Sequence, residues 1–272
     1  MKVLWEDIEV QSTVQPALDF FYGVRQVVES TKTLPQEFLV GNDEVASDGL
    51  HISRQGCSTT LKSGCSARVK VESDAAASSG TLPDALAAAA TQQWLRNGFL
   101  PLHAALFEFE GCGLLVLGDS TSGKSTLTLA ARSVGARVVS DDFIRVKLDS
   151  NGQLVGMRIR AFLRERHLSG DRLHWLAPYP TEFAISAIAA LQAVSERTAL
   201  NCYEDYSALS LYLELVRQSA PLFMHGFAQE AATMHRIISA LTCLPRIKVK
   251  TGTEVKNAPL AALQGILRAL RV

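Results

Sequence analysis

Gly118-Asp119-Ser120-Thr121-Ser122-Gly123-Lys124-Ser125 satisfies every fixed position of the pattern G-x-x-x-x-G-K-[ST]. The pattern demands a strand, a tight loop and a helix in that order. Gly118 and Gly123 let backbone N–H groups turn inward around phosphate oxygens, and the helix that follows adds the positive end of its dipole. Lys124 is expected to reach the β- and γ-phosphates of a nucleoside triphosphate, and the Ser125 hydroxyl to ligate Mg²⁺. Asp119, Ser120, Thr121 and Ser122 then form the loop wall, with Thr126 in the first helical turn. The flanking residues agree: Leu114–Leu117 is an apolar run of buried-strand type. Ser125–Arg132 reads as a helix with Leu127, Ala130 and Ala131 on one side and Gly135 as its stop.

Bulk properties exclude several partners. Among 272 residues, 27 Lys+Arg balance 27 Asp+Glu, so no basic excess points to nucleic acid. The N-terminal residues lack the apolar segment of a signal peptide, and no apolar stretch is long enough to span a bilayer, so a cytoplasmic protein without a membrane role is expected. The cysteines Cys57, Cys65, Cys112, Cys202 and Cys243 form no C-x-x-C pair and read as free thiols, with a Cys57–Cys65 bridge or metal pair as the alternative.

The expected fold class is α/β: a P-loop domain with a mixed sheet, a smaller α+β N-terminal region and a helical C-terminal part. Residues 1–80 form the first region, with a helix from near Pro16, strands at His51–Ser53 and Ala67–Glu72, and a small-residue linker at Asp74–Gly80. Residues 81–272 form the second. Pro83–Asn97 reads as a helix. Leu100–Glu110 and Gly113–Leu117 read as two strands in a tight hairpin, and Ala136–Ser140 as the next strand. Ile144–Leu148 and Gln153–Ile159 flank an Asn151-Gly152 turn. Beyond Thr181, helices are predicted over Glu182–Val194, Tyr206–Arg217, Ala228–Leu241 and Leu260–Val272, with one strand at Arg246–Lys250.

Asp141 and Asp142 follow a mostly apolar strand, and Asp142 lies 18 positions after Lys124. Phosphoryl transfer needs a carboxylate either to hold Mg²⁺ or to take the proton of the attacking hydroxyl, and adjacent aspartates can divide those tasks. A helix-capping turn is the simpler alternative. His103 lies 21 positions before Lys124, on the strand expected to pair with the pre-loop strand. A lone histidine in Leu102-His103-Ala104-Ala105 is otherwise read as packing. Arg158 and Arg160 alternate on one strand face with Arg164 and Arg166 close behind, either a clamp for phosphate or an acidic peptide, or a solvated basic edge. Trp175 and Tyr179 read as loop packing, with a substrate lip as the alternative.

Pro101-Leu102-His103-Ala104-Ala105, the strand-turn-strand into Gly118–Thr126, and Val139-Ser140-Asp141-Asp142 together resemble, in order and spacing, the catalytic domain of HPr kinase/phosphorylase. That family belongs with the phosphoenolpyruvate carboxykinase-like P-loop kinases. The resemblance covers roughly Pro83–Asp171 and implies an active-site role for His103, phosphate binding by Lys124, Mg²⁺ on Ser125 with support from Asp141, and proton acceptance by Asp142. Where the bifunctional members carry a metal-binding Glu in Glu-Ile-Arg-Gly, this chain has Arg158-Ile159-Arg160-Ala161, and no Gly-rich signature follows. These departures point away from phosphorylase activity and from HPr as substrate. They suggest a likeness to the HPr kinase-like enzymes of peptide-modification pathways, including those acting on lasso precursor peptides.

The expected function is therefore an ATP- and Mg²⁺-dependent serine kinase acting on a peptide or protein. Family kinship implies a homo-oligomer, and residues 1–80 a docking role for a large substrate. The alternatives are a kinase of free amino acids or sugars, and a module that binds ATP without transferring phosphate.

Overall fold

The computed structural model describes residues 2–5, 8–12, 36–40, 50–54, 57–61, 67–71, 91, 94, 95, 97–158, 162–165, 172–175, 182–193, 202–219, 231–252 and 254–271. The chain divides into two compact units, residues 1–97 with 222–231, and residues 98–221 with 232–272.

In the first unit six strands form one antiparallel sheet. They are β1 (Lys2–Trp5), β2 (Ile8–Ser12), β3 (Gln36–Val40), β4 (Leu50–Arg54), β5 (Cys57–Leu61) and β6 (Ala67–Val71). Their order is β1-β2-β3-β6-β5-β4. The expected strands at His51–Ser53 and Ala67–Glu72 are β4 and β6. The helix expected from Pro16 and the linker Asp74–Gly80 lie outside the described residues. So does most of Pro83–Asn97, of which Thr91, Trp94 and Leu95 are helical.

The second unit begins with β7 (Leu100–His103), β8 (Ala105–Phe109) and β9 (Cys112–Gly118). Helix α1 (Lys124–Ser133) and strand β10 (Arg137–Ser140) follow the loop, and β11 (Phe143–Leu148) and β12 (Leu154–Arg158) form the Asn-Gly hairpin. Among the described residues, strands β13 (Phe162–Glu165) and β14 (Arg172–Trp175) pair only with each other. After β15 (Glu182–Ala184), β16 (Ala187–Ala193) and β17 (Cys202–Asp205) come α2 (Ala208–Ser219) and α3 (Ala231–Leu241). Strand β18 (Arg246–Thr251), the short α4 (Glu254–Asn257) and α5 (Pro259–Leu270) complete the unit.

Two sheets organise these elements. The larger runs β10-β8-β9-β16-β18-β17, with β9, β16 and β18 parallel at its centre and antiparallel pairs outside. The smaller, β15-β12-β11-β7, is antiparallel throughout. Along β8, β9 and β16 alternate residues point to opposite faces. Phe107, Leu114, Val116, Ala189 and Leu191 join Leu127 and Ala131 of α1 and Leu263, Ile266 and Leu267 of α5 in one apolar layer. The other face meets the smaller sheet so closely that a Cβ on Gly156 would lie 2.2 Å from Leu106 Cδ2.

The helix expected over Glu182–Val194 is a correction: the segment forms β15 and β16. Strand β16 sits between β9 and β18 with Ala187–Leu191 all buried. A strand covered on both faces loses its alternation, and an apolar run of that length matches helical spacing equally well. The other three predicted C-terminal helices are present as α2, α3 and α5.

Candidate functional site

The loop stands between the end of β9 and the start of α1, at the C-terminal edge of the parallel strands, where ligands of such sheets bind. Gly118 has φ +147° and Gly123 φ +109°, both in the region that favours glycine. A Cβ on Gly118 would lie 2.7 Å from the Leu191 carbonyl oxygen and 2.5 Å from Ser122 Oγ. On Gly123 it would lie 2.6 Å from Val255 Cγ1. Both glycines are therefore required by space as well as by backbone angle. Asp119, Ser120 and Thr121 are exposed, Ser122 is buried, and the Ser122 N–H donates to the Asp119 carbonyl at 3.2 Å.

Helix α1 has no side-chain N-cap and no acidic residue in its first turn, so its own side chains leave the positive dipole end open. Ser122 Oγ is buried with no hydrogen-bond partner among the described residues. A buried hydroxyl of that kind is costly unless a ligand satisfies it. The residues fit a bound triphosphate: two space-limited glycines, an orphan hydroxyl and an uncapped helix end converge on one loop. Ser125 and Thr126 lie half-buried in the first turn.

Lys124 is buried, and its Nζ donates to the Gly118 carbonyl at 2.6 Å and the Asp119 carbonyl at 3.1 Å. Burial pushes its pKa down, while the carboxylates of Asp142, Asp119, Asp141 and Glu214 pull it back up. Both members of Asp141-Asp142 thus lie within electrostatic reach of the loop lysine. Asp141 is buried and Asp142 half-exposed.

His103 meets Asp142 directly, with Nε2 3.2 Å from Asp142 Oδ1. The route to this contact corrects the sequence expectation. His103 ends β7, which pairs with β11; the strand that pairs with β9 is β8. The chain changes sheets at Ala104 and changes back at Asp141-Asp142, between β10 and β11. Antiparallel register sets Phe143 opposite His103, and a register shift between Val138 and Ser140 sets Ser140 opposite Leu106. The two crossovers are thereby neighbours, which brings His103 to Asp142. The Phe143 ring lies 5.3 Å from the imidazole, and the Asp142 N–H donates to Ser140 Oγ at 3.3 Å.

One wall of the site comes from α2, which packs beside β7 and β9. Gln218 Oε1 lies 3.0 Å from His103 Nδ1, and Gln218 Nε2 donates to Glu214 Oε1 at 2.7 Å. Arg217 donates to the same carboxylate through Nε at 3.0 Å and Nη2 at 2.7 Å, and pairs through Nη1 with Asp119 of the loop. These contacts hold the Arg217 guanidinium above its ordinary pKa, the Glu214 hydrogen bond first. Glu214, Arg217 and Gln218 were not singled out from the sequence. Their spacing of three and four residues on one helical face was the available signal, and a solvated polar stripe has the same spacing. Arg160 lies outside the described residues, so the arginine pair is not assembled here.

No protein-family model matches the chain. The HPr kinase/phosphorylase of Clostridium beijerinckii is 42% identical over 55 residues, 20% of this chain and 18% of its own length. That of Treponema pallidum (strain Nichols) is 38% identical over 65 residues, 23% of this chain and 20% of its own. The chain is HPr kinase-like over this stretch. The HPr kinase/phosphorylase of Lachnoclostridium phytofermentans is 34% identical over 67 residues and 22% of its length. The HPr kinase-like match thus spans about a fifth of each curated relative. The Hpr(Ser) kinase/phosphatase of Coxiella burnetii aligns over 63% of this chain and 90% of its own, at 15% identity with a TM-score of 0.35. Among the described residues no helix is long and apolar enough to cross a membrane.

Proposed function

We propose that the protein is an ATP- and Mg²⁺-dependent kinase that transfers the γ-phosphoryl group to a serine hydroxyl of a peptide or protein. The observation that carries this reading is the His103–Asp142 contact beside the phosphate loop, with Lys124 in the field of the same carboxylate. Loop amides and the α1 terminus bind the phosphates, and Lys124 exchanges its two carbonyl partners for phosphate oxygens. Mg²⁺, held through Ser125 and Asp141, would offset charge on the phosphates. Asp142 takes the hydroxyl proton, and His103 holds that carboxylate in place. Arg217, tied to the loop through Asp119, supplies a second cation at the rim. Residues 1–80 serve as a docking region for a substrate larger than a metabolite. A ribosomally made precursor peptide is the candidate substrate, and a homo-oligomer the expected assembly.

The test is transfer from ATP to serine-bearing peptides, read by mass spectrometry against a panel of free amino acids and sugars. Lys124→Ala should abolish transfer. Asp142→Asn should retain ATP binding and lower the rate by about 10²-fold or more. Normal transfer by Asp142→Asn would remove it as the base. Phosphorylation of metabolites alone would make the acceptor small, and tight ATP binding without any transfer would leave a regulatory module.

A further inference from the structure

We infer that the outward stripe of α2, in which Leu209 and Leu213 run up to Arg217, is a docking surface for the acceptor peptide, and that it takes an extended segment with apolar residues at alternate positions. That the docked segment carries the acceptor serine rests on the kinase reading; the docking itself does not.

Helix α2 is apolar on two sides. Leu211 and Leu215 are fully buried and root it in the second unit. The leucines at 209, 211, 213 and 215 step about 200° around the axis from one to the next, so Leu209 and Leu213 lie on the side away from the core. They are 70% and 60% exposed, the most exposed of the large apolar side chains among the described residues. A surface helix ordinarily gives that side to polar residues. Packing on the core explains the first face and not the second. Helix α2 carries two charged residues, Glu214 and Arg217, and they bind each other, so the stripe offers apolar contact beside a paired charge.

The place where the stripe ends says what covers it. Leu209, Leu213 and Arg217 stand four residues apart and share one face of the helix. Arg217 pairs with Asp119 of the phosphate loop, and the next residue, Gln218, lies 3.0 Å from His103, which meets Asp142. A chain laid along the stripe therefore leads from two apolar contacts to the carboxylate proposed as the base. Spacing favours an extended chain. Residues four apart on a helix are separated by about 6 Å along its axis, and alternate side chains of an extended strand recur every ~6.6 Å on one face. Each turn of α2 thus meets every second residue of the peptide. A second copy of the protein fits less well, because two leucines are a small part of the roughly 800 Å² that each partner gives to a stable interface.

The test uses the full chain and short peptides with one serine in a Gly/Gln host, in which a pair of leucines two residues apart is stepped through positions on either side of the serine. At one placement the KM for peptide should fall about tenfold below that of the leucine-free host. The double variant Leu209→Gln, Leu213→Gln keeps helix propensity on an exposed surface and should erase that difference, each single variant should lose part of it, and Leu209→Met with Leu213→Met should keep it. General damage to the enzyme would slow both peptides alike and leave their ratio in place. Fluorescence anisotropy of the labelled leucine peptide reads docking without chemistry and should show binding weakened by the same factor in the glutamine variant. Equal KM for all peptides, or a leucine preference that survives in the glutamine variant, would overturn the inference. So would a glutamine variant whose only change is a smaller assembly in size-exclusion chromatography, which would give the stripe to a second copy. If the leucine peptide docks on this stripe and no acceptor is phosphorylated, the kinase reading fails and the docking surface stands; transfer without any leucine preference would do the reverse.

Discussion

Lys124 is buried and among the described residues has only backbone carbonyls as direct hydrogen-bond partners, which sets its energetics apart from a surface lysine. Burial favours the neutral amine and four carboxylates favour the ammonium, with burial the stronger. The folded state therefore binds this proton less tightly than the unfolded chain, whose lysine keeps the ordinary value of 10.5. Unfolding takes up protons in the window below 10.5, so stability rises with pH there. The cost of the buried charge is full below the folded-state pKa and vanishes above the unfolded one. Lys124→Met should flatten this alkaline rise and abolish ATP binding, which urea denaturation across the alkaline range and a nucleotide titration would measure. The Arg217–Asp119 pair behaves differently. Its side chains are 52% and 69% exposed, so solvent screens it and its contribution to stability is at most about 1 kcal/mol.

Helix α1 and strand β16 both hold the loop. Leu127 and Ala131 root α1 in the apolar layer, and Thr128 Oγ1 donates back to the Lys124 carbonyl at 2.9 Å. Strand β16 contributes the Leu191 carbonyl, which approaches Gly118 too closely for any side chain there. Gly118→Ala should shift the loop against β16 and Ser122, destabilise the protein by about 1–3 kcal/mol and remove nucleotide binding. Denaturant titration and a nucleotide-binding assay read the two effects separately. Full ATP binding in Gly118→Ala would show that the loop does not need this close approach. Helix α2 shows why an element can be read correctly and its role missed. Its apolar residues Leu211 and Leu215 give the period, whereas the partners of its polar face lie 98 and 115 positions earlier in the chain.

At the scale of the molecule, ligand binding and stability are linked by mass action. A ligand that binds the folded state alone stabilises it by about 2.7 kcal/mol at a hundredfold excess over Kd. ATP with Mg²⁺ should therefore raise Tm in a concentration-dependent way, in wild type and in Asp142→Asn, and not in Lys124→Ala. Differential scanning fluorimetry over an ATP series checks this. A Tm shift surviving in Lys124→Ala would place the nucleotide somewhere other than the loop. The second unit combines a mixed sheet with a smaller antiparallel one, and the site lies where the chain passes between them. The crossovers bring polar residues to the seam: His103 just before Ala104, and Asp141-Asp142 just before β11.

The amino-acid sequence alone determined the phosphate loop, its strand and helix, the β8–β9 and β11–β12 hairpins and three of the four expected C-terminal helices, because each is written in local terms. Glycines at strained angles, an Asn-Gly turn and a 3.6-residue apolar period are properties of a few neighbouring residues. It also singled out His103, Asp141 and Asp142. Tertiary structure alone decided that Ala187–Leu191 is a strand, since burial on both faces erases the period that would identify it. It likewise decided that His103 reaches Asp142 through β7 and β11, and that α2 contributes Glu214, Arg217 and Gln218 to the site. Those contacts depend on sheet register and on a helix docking far along the chain, and no short window of residues encodes either.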